Sequence, residues 1–205
     1  CLQNLAYDQF YCEHIYVFST LSLREVLKNF KLEIFDVENT KTHGGSNRYY
    51  IKKNINSLYK ISNRVKIEIK KELQFGINKF STYQTFAKKV KISKNKLLKI
   101  FSSLSKKKLR IVGYGATAKS CTVLNYCGLG KSDIKYFYDT TSYKVNKYLP
   151  GSKILIKKYK KLNRKEIDVV FLGAWNFKKE IFKKEKQFIK SGGKFITHVP
   201  YPKII

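Results

Sequence analysis

A strand that runs into a glycine pair and then into a helix is the feature that most narrows the fold of this chain. The run Leu109-Arg110-Ile111-Val112 has strand character and ends in Gly113-Tyr114-Gly115. Behind it, residues 117–127 read as a helix. Glycines at such a junction let the backbone turn tightly and let the helix start close against the strand, which is how a βαβ unit opens. The alternation continues. Residues 134–138 read as a second strand closing on Asp139, Pro150-Gly151 as a turn, and 167–172 as an apolar strand of the kind buried on both faces. Residues 177–190 read as a helix ended by Gly192-Gly193, and 194–197 as a last strand. Strands alternating with helices call for a parallel sheet with helices packed on it.

The class is therefore α/β, and residues 107–205 are expected to form a Rossmann-like parallel-sheet half-domain. Residues 1–56 read as a separate mixed piece. There, Ser19-Thr20-Leu21-Ser22 starts an amphipathic helix carrying Leu23, Val26, Leu27 and Phe30. Residues 32–37 alternate as a strand, Thr42-His43-Gly44-Gly45-Ser46 reads as a turn, and Arg48-Tyr49-Tyr50-Ile51 as the returning strand. Residues 57–106 are basic, helical in pattern and free of Pro, which predicts a connector of two or three helices without a sustained heptad.

Composition sets outer limits. Of 205 residues 43% are hydrophobic, enough for a core, so wholesale disorder is excluded. No run of 18 apolar residues occurs, so no membrane-spanning helix is expected, and no secretory signal is visible. The formal charge of +29 points at first to a polyanion. Yet only Arg24, Arg48, Arg64, Arg110 and Arg164 are arginines, and nucleic-acid readers favour Arg. The lysines are spread along the chain among Ile, Asn and Tyr, the mix an AT-rich coding sequence produces, so nucleic acid is not the expected partner. Cys1, Cys12, Cys121 and Cys127 form no Cys-x-x-Cys pair, which argues against a metal site here and for a reducing cytoplasm. The chain has no Met and begins at Cys1, which predicts a piece of a longer protein.

Four constellations can carry chemistry. Tyr7-Asp8-Gln9-Phe10-Tyr11-Cys12-Glu13-His14 places phenols, carboxylates, an amide and an imidazole together. His14 beside Glu13 can act as a general base near neutral pH, and Tyr11 can donate to a developing oxyanion. The alternative is a polar loop capping the next helix. Thr42-His43-Gly44-Gly45-Ser46 offers a close backbone approach to a ligand, or simply a hairpin turn. Gly113-Tyr114-Gly115-Ala116-Thr117-Ala118-Lys119-Ser120 opens a helix, where backbone N–H groups can cradle a phosphate, with Lys119 and Ser120 adding a charge and a hydroxyl. Asp139 follows at the end of the next strand, where a dinucleotide fold places a ribose-binding acid. Ala174-Trp175-Asn176-Phe177 follows a strand's carboxyl end, so Trp175 can stack on a base, or Asn176 can cap a helix with Trp175 at the core rim.

Taken in order, these four motifs, Pro150-Gly151 and the closing Gly192-Gly193-Lys194-Phe195-Ile196 resemble the SAM-dependent C-methyltransferases of deoxysugar biosynthesis, which methylate C3 of nucleotide-linked 4-keto sugars. The resemblance covers nearly the whole chain. It implies three parts in a complete enzyme: a zinc-binding domain, a SAM-binding methyltransferase domain and a Rossmann-like domain that helps hold the nucleotide sugar. On that pattern residues 1–56 are the end of the methyltransferase domain, 57–106 the connector and 107–205 the C-terminal domain. The cofactor implied is S-adenosyl-L-methionine, with its site mostly upstream of this chain. Zinc is implied only in the upstream part, and no metal here. The implied partners are a nucleotide-diphosphate sugar and the upstream domains, in the cytoplasm, with no membrane.

The resemblance also assigns roles. His14 would remove the C3 proton, and Tyr11 and Glu13 would orient the sugar or stabilise the enolate oxygen. His43, Gly44, Gly113, Tyr114, Gly115, Ala116, Lys119, Ser120, Trp175 and Asn176 would hold the substrate, the glycine-rich loop facing its diphosphate rather than NAD. That leaves the role of Asp139 open. The sequence departs at Cys12, where the family usually has a second His. The piece alone is expected to be inactive. The competing expectations are a nucleotide-sugar-binding module without catalysis and a basic polyanion binder.

Overall fold

In the computed structural model, which describes residues 1–56 and 58–205, the chain divides into two units, Ile15–Ala87 and Cys1–His14 with Lys88–Ile205. The division follows packing rather than sequence texture: the N-terminal segment groups with the second half of the chain, and the expected helical connector is shared between the units.

The unit Ile15–Ala87 begins with α1 (Thr20–Lys28). Ser19 starts it with a capping box, its hydroxyl accepting from Ser22 N at 3.0 Å while Ser22 Oγ accepts from Ser19 N at 2.9 Å. Strands β1 (Leu32–Thr40) and β2 (Ser46–Lys53) form the expected hairpin; β1 starts where its apolar alternation indicated and runs on past it, and β2 is longer at both ends. Ile34 and Val37 are both buried although they are three residues apart, which on a regular strand would put them on opposite faces. A bulge between Ile34 and Asp36 resets the phase, so both join Leu27 and Val65 in one core. Val65 belongs to α2 (Asn63–Phe75), whose Glu72 carboxylate accepts from the backbone of Thr20 at 2.7 Å and Leu21 at 2.9 Å. A negative charge on the first N–H groups of α1 is favourable there.

Helix α3 (Phe80–Lys106) runs through both units. From Val90 onward its buried residues Val90, Ser93, Leu97, Phe101 and Leu104 recur every three or four positions, one face of a helix. That face packs on the sheet of the second unit, with the Phe101 and Phe171 rings 6.0 Å apart.

The sheet contains β3 (Ile111–Tyr114), β4 (Phe137–Asp139), β5 (Ile156–Lys158), β6 (Val169–Leu172), β7 (Lys194–Thr197) and β8 (Lys203–Ile204). Its order is β5-β4-β3-β6-β7-β8. The first five strands are parallel and β8 is antiparallel. This is the expected Rossmann-like arrangement. Every residue of β3 and β6 is buried, as a central parallel strand requires. The chain leaves β3 toward β4 on one side and reaches β6 on the other, so the order reverses at the β3/β6 boundary. In open α/β sheets the crevice at such a reversal, beyond the strands' carboxyl ends, is where ligands bind.

Helix α4 (Ala118–Cys127) follows β3 as expected. The single helix expected over 177–190 is instead a short turn at Trp175–Phe177, then α5 (Lys178–Lys184) and α6 (Lys186–Lys190). The break is at Glu185, whose φ of −99° and ψ of 23° leave the helical region. Glu185 is buried, and its carboxylate accepts from Tyr159 Oη at 2.6 Å and Leu162 N at 3.2 Å. Satisfying a buried carboxylate outweighs one continuous turn of helix. No helix among the described residues is long and apolar enough to cross a membrane.

Candidate functional site

The N-terminal segment forms a short 3-10 turn, Tyr7–Gln9, that packs beside α4. Its centre is Asp8, fully buried. One carboxylate oxygen accepts from the Trp175 indole N–H at 2.6 Å and from His198 Nε2 at 2.8 Å. Trp175 follows β6 and His198 follows β7, so Asp8 is held at the carboxyl ends of adjacent central strands. His198 is also fully buried and stacks on Phe171, ring centroids 5.6 Å apart. Tyr7 meets His198 and Tyr126 edge-on, and burial pushes its phenol pKa up.

The same segment builds a second arrangement around His14. Its Nδ1 lies 2.8 Å from the Gln9 carbonyl oxygen. A carbonyl only accepts, so Nδ1 carries a hydrogen and the basic lone pair of the neutral ring is on Nε2. Tyr11 Oη is 2.9 Å from that nitrogen and donates to it. The two rings lie 4.0 Å apart, centroid to centroid. Burial, then the charges of Glu13 and Asp8, raise the Tyr11 pKa, so the phenol keeps its proton at neutral pH. The tautomer of His14 is thus set by Gln9 and Tyr11, while Glu13 and Cys12 are exposed.

The glycine-rich loop is largely closed upon itself. Gly113 lies within β3 under the Phe137 ring, and Gly115 turns the chain at φ +85°. Ala116 N donates to Asp139 Oδ2 at 2.7 Å, and Thr141 N to Asp139 Oδ1 at 2.8 Å. That occupies the carboxylate left without a role by the sequence: Asp139 ties the β3 loop to the β4 loop. Thr117 caps α4 by accepting from Ser120 N at 3.1 Å, and Ser120 Oγ donates to the Gly115 carbonyl at 2.8 Å. Tyr114 is buried, which pushes its pKa up to about 12.

Lys119 leaves this loop and joins the first cluster. It is 5% exposed, with its ammonium 5.3 Å from the centre of the Trp175 ring. Burial lowers its pKa, and the negative charge of Asp8 opposes the shift. Asn176 is half-buried in the turn after Trp175, and no side chain caps α5.

The structure therefore brings Lys119 and Trp175 together with Asp8 and His198, and places Tyr11, Glu13 and His14 on the segment that Asp8 anchors. His43 and Gly44 belong to the other unit, at the exposed tip of the β1–β2 hairpin, His43 at φ 53°. Sequence reading gave Asp8 no separate role and passed over His198. A His directly after the last parallel strand was the available signal.

Residues 41–200 match the family described as C-methyltransferase C-terminal domain. The chain is also 31% identical, over 204 residues, to C-methyltransferase NovU of Streptomyces niveus. That match covers 100% of this chain and 48% of the relative, so the chain spans about half the length of the curated relative it matches.

Proposed function

Because this chain belongs to the C-methyltransferase C-terminal domain family, we propose that it is the deprotonating and nucleotide-sugar-holding part of a sugar C-methyltransferase. The substrate is a nucleotide-linked 4-keto deoxysugar, and the carbon methylated is C3. One observation above all supports this reading: the His14 ring is held with Nδ1–H on the Gln9 carbonyl and its basic Nε2 turned toward Tyr11 Oη, a base and an acid side by side.

The ketone at C4 acidifies the C3 proton. His14 Nε2 takes that proton, and the C–H electron pair moves toward the ketone oxygen. Substrate entry displaces the Tyr11 hydroxyl from Nε2 and turns it to the oxygen that gains charge, where a neutral donor stabilises the enolate. Glu13, exposed at the same turn, orients a sugar hydroxyl. Lys119 and the start of α4 are set for the diphosphate at the β3/β6 crevice.

S-adenosyl-L-methionine supplies an electrophilic methyl group when bound. The glycine-rich turn of this chain does not fit it: a Cβ on Gly115 would lie 2.6 Å from the Ala174 Cβ, and Asp139 is engaged by Ala116 and Thr141. We assign the cofactor, and zinc, to sequence outside this chain and derive no step through either. The chain alone is then inactive in methyl transfer. A cytoplasmic setting goes with this reading, supported by four free thiols.

The test is methyl transfer to a 4-keto sugar nucleotide by this chain joined to the remaining half of NovU. His14→Ala should lower the rate by about 10²–10⁴-fold with the sugar nucleotide still bound. Transfer at the unaltered rate would remove His14 as the base. A second reading, a nucleotide-sugar-binding module without catalysis, is favoured by the placement of Lys119 and the start of α4 where the strand order reverses. It predicts binding of the sugar nucleotide and no transfer in the joined chain.

A further inference from the structure

We infer that Asp8 is the positioning residue of the proposed base: it locks the segment carrying His14 onto the sheet and so sets which nitrogen of His14 is basic. The inference rests on the proposed role of His14.

Asp8 is fully buried, and each of its partners comes from a different element. Trp175 and His198 give it two N–H donors, at 2.6 and 2.8 Å. The Lys119 ammonium over the Trp175 ring adds a positive charge on the same side. A carboxylate out of water needs such partners, and removing them leaves an uncompensated charge. The cluster is not saturated: among the described residues, Asp8 Oδ1 and His198 Nδ1 have no hydrogen-bond partner. Core stability alone does not require this arrangement, since apolar residues in place of Asp8 and both of its donors would avoid the desolvation and the orphaned atoms.

What the arrangement does secure is the next residue. Gln9 follows Asp8 directly, and its carbonyl oxygen holds His14 Nδ1–H at 2.8 Å. With Asp8 pinned to β6 through Trp175 and to β7 through His198, the Gln9 carbonyl cannot swing away. His14 then keeps Nε2 as its acceptor and its ring against Tyr11. A second-residue contact that fixes the tautomer of a functional His is a recognised device. Trp175, for which the sequence offers stacking on a base or a place at the core rim, thereby gains a further task through its indole N–H.

The experiment uses ring ¹⁵N shifts of His14 and the indole N–H resonance of Trp175, the only Trp in the chain. In the unaltered chain His14 should show one tautomer, with hydrogen on Nδ1. Asp8→Ala should move the indole signal and convert His14 to an averaged pair of tautomers. Trp175→Phe, which removes one donor and keeps the ring, should do so in part, which covers failure of the Asp8 variant to fold. Leu97→Ala, a core truncation, should lower stability and leave the His14 shifts unchanged. If Asp8→Ala and Trp175→Phe shift His14 no more than Leu97→Ala does, the inference falls. In the chain joined to the remaining half of NovU, Asp8→Asn should lower kcat about 100-fold with KM for the sugar nucleotide unchanged. An unaltered kcat would overturn it. Should His14→Ala retain transfer, the base assignment fails instead, and the ¹⁵N shifts still decide whether Asp8 controls His14.

Discussion

Gly115 and Ala174 touch across the crevice between β3 and β6: a Cβ on Gly115 would lie 2.6 Å from the Ala174 Cβ and 3.1 Å from its backbone nitrogen. Next to them, a Cβ on Gly173 would meet Ser120 Oγ and the Gly115 carbonyl. These glycines let two loops close on each other at the point where the strand order reverses. Gly115→Ala should therefore destabilise the second unit by about 1–3 kcal/mol through overpacking. The φ of +85° adds strain that no neighbouring shift relieves. Pairing the change with Ala174→Gly should restore the overpacking part and leave the backbone part. Urea midpoints of the three variants check this, and full recovery in the double variant would show that backbone strain contributes nothing.

Asp36 should make a small acid-sensitive contribution to the stability of the first unit. The Arg64 guanidinium, then the Ser62 hydroxyl and the Val37 N–H, hold its carboxyl at about 2, below the ordinary 3.8. A group whose folded pKa is depressed adds stability above its unfolded value and loses it as pH falls through the folded one. The contribution should be complete above pH 3.8 and disappear as pH falls toward about 2. Thermal unfolding of the unaltered chain should weaken across that window, and the Asp36→Asn variant should show a shallower fall. Parallel curves for the two would rule out this ion pair as the cause.

The order of strands and helices was legible because it rests on local patterns: the apolar run of β6, the glycine junction after β3 and the polar start of α1. What escaped is what distance along the chain decides. Strand β5 is three residues with two exposed lysines, and β8 is two exposed residues, so neither has a pattern to read. At the helix break the Glu185 carboxylate accepts from Tyr159, 26 residues away. The candidate site divides in the same way. Tyr11 and His14 are three residues apart, and their pairing follows from one turn of chain. Asp8 finds Trp175 and His198 at separations of 167 and 190 residues, which no spacing rule reaches. The glycine-rich loop was visible as a loop, but that Asp139 ties it down, with Ser120 bonding its Gly115 carbonyl, depends on packing between neighbouring strands.

The excess positive charge leads to a last prediction, which separates the proposed diphosphate from a polyanion as ligand. Lys119 lies at the start of α4 behind β3, over the Trp175 ring that follows β6, and burial lowers its pKa. A bound diphosphate would favour the charged form of that group. Lys119→Met should weaken binding of uridine or thymidine diphosphate by about tenfold or more, the loss of one charge-assisted hydrogen bond. It should barely alter binding of a long polyanion, which would draw on the many exposed lysines instead. Salt separates the two further. A ligand neutralised at six to ten phosphates loses about 10³–10⁵ in affinity between roughly 50 and 200 mM salt. One diphosphate engages far fewer counterions and should lose less than about tenfold over the same range. Calorimetric titration of the unaltered and Lys119→Met chains at both salt concentrations decides the matter. A steep salt slope with no effect of Lys119→Met would make the +29 charge the source of affinity and set aside a dedicated diphosphate site.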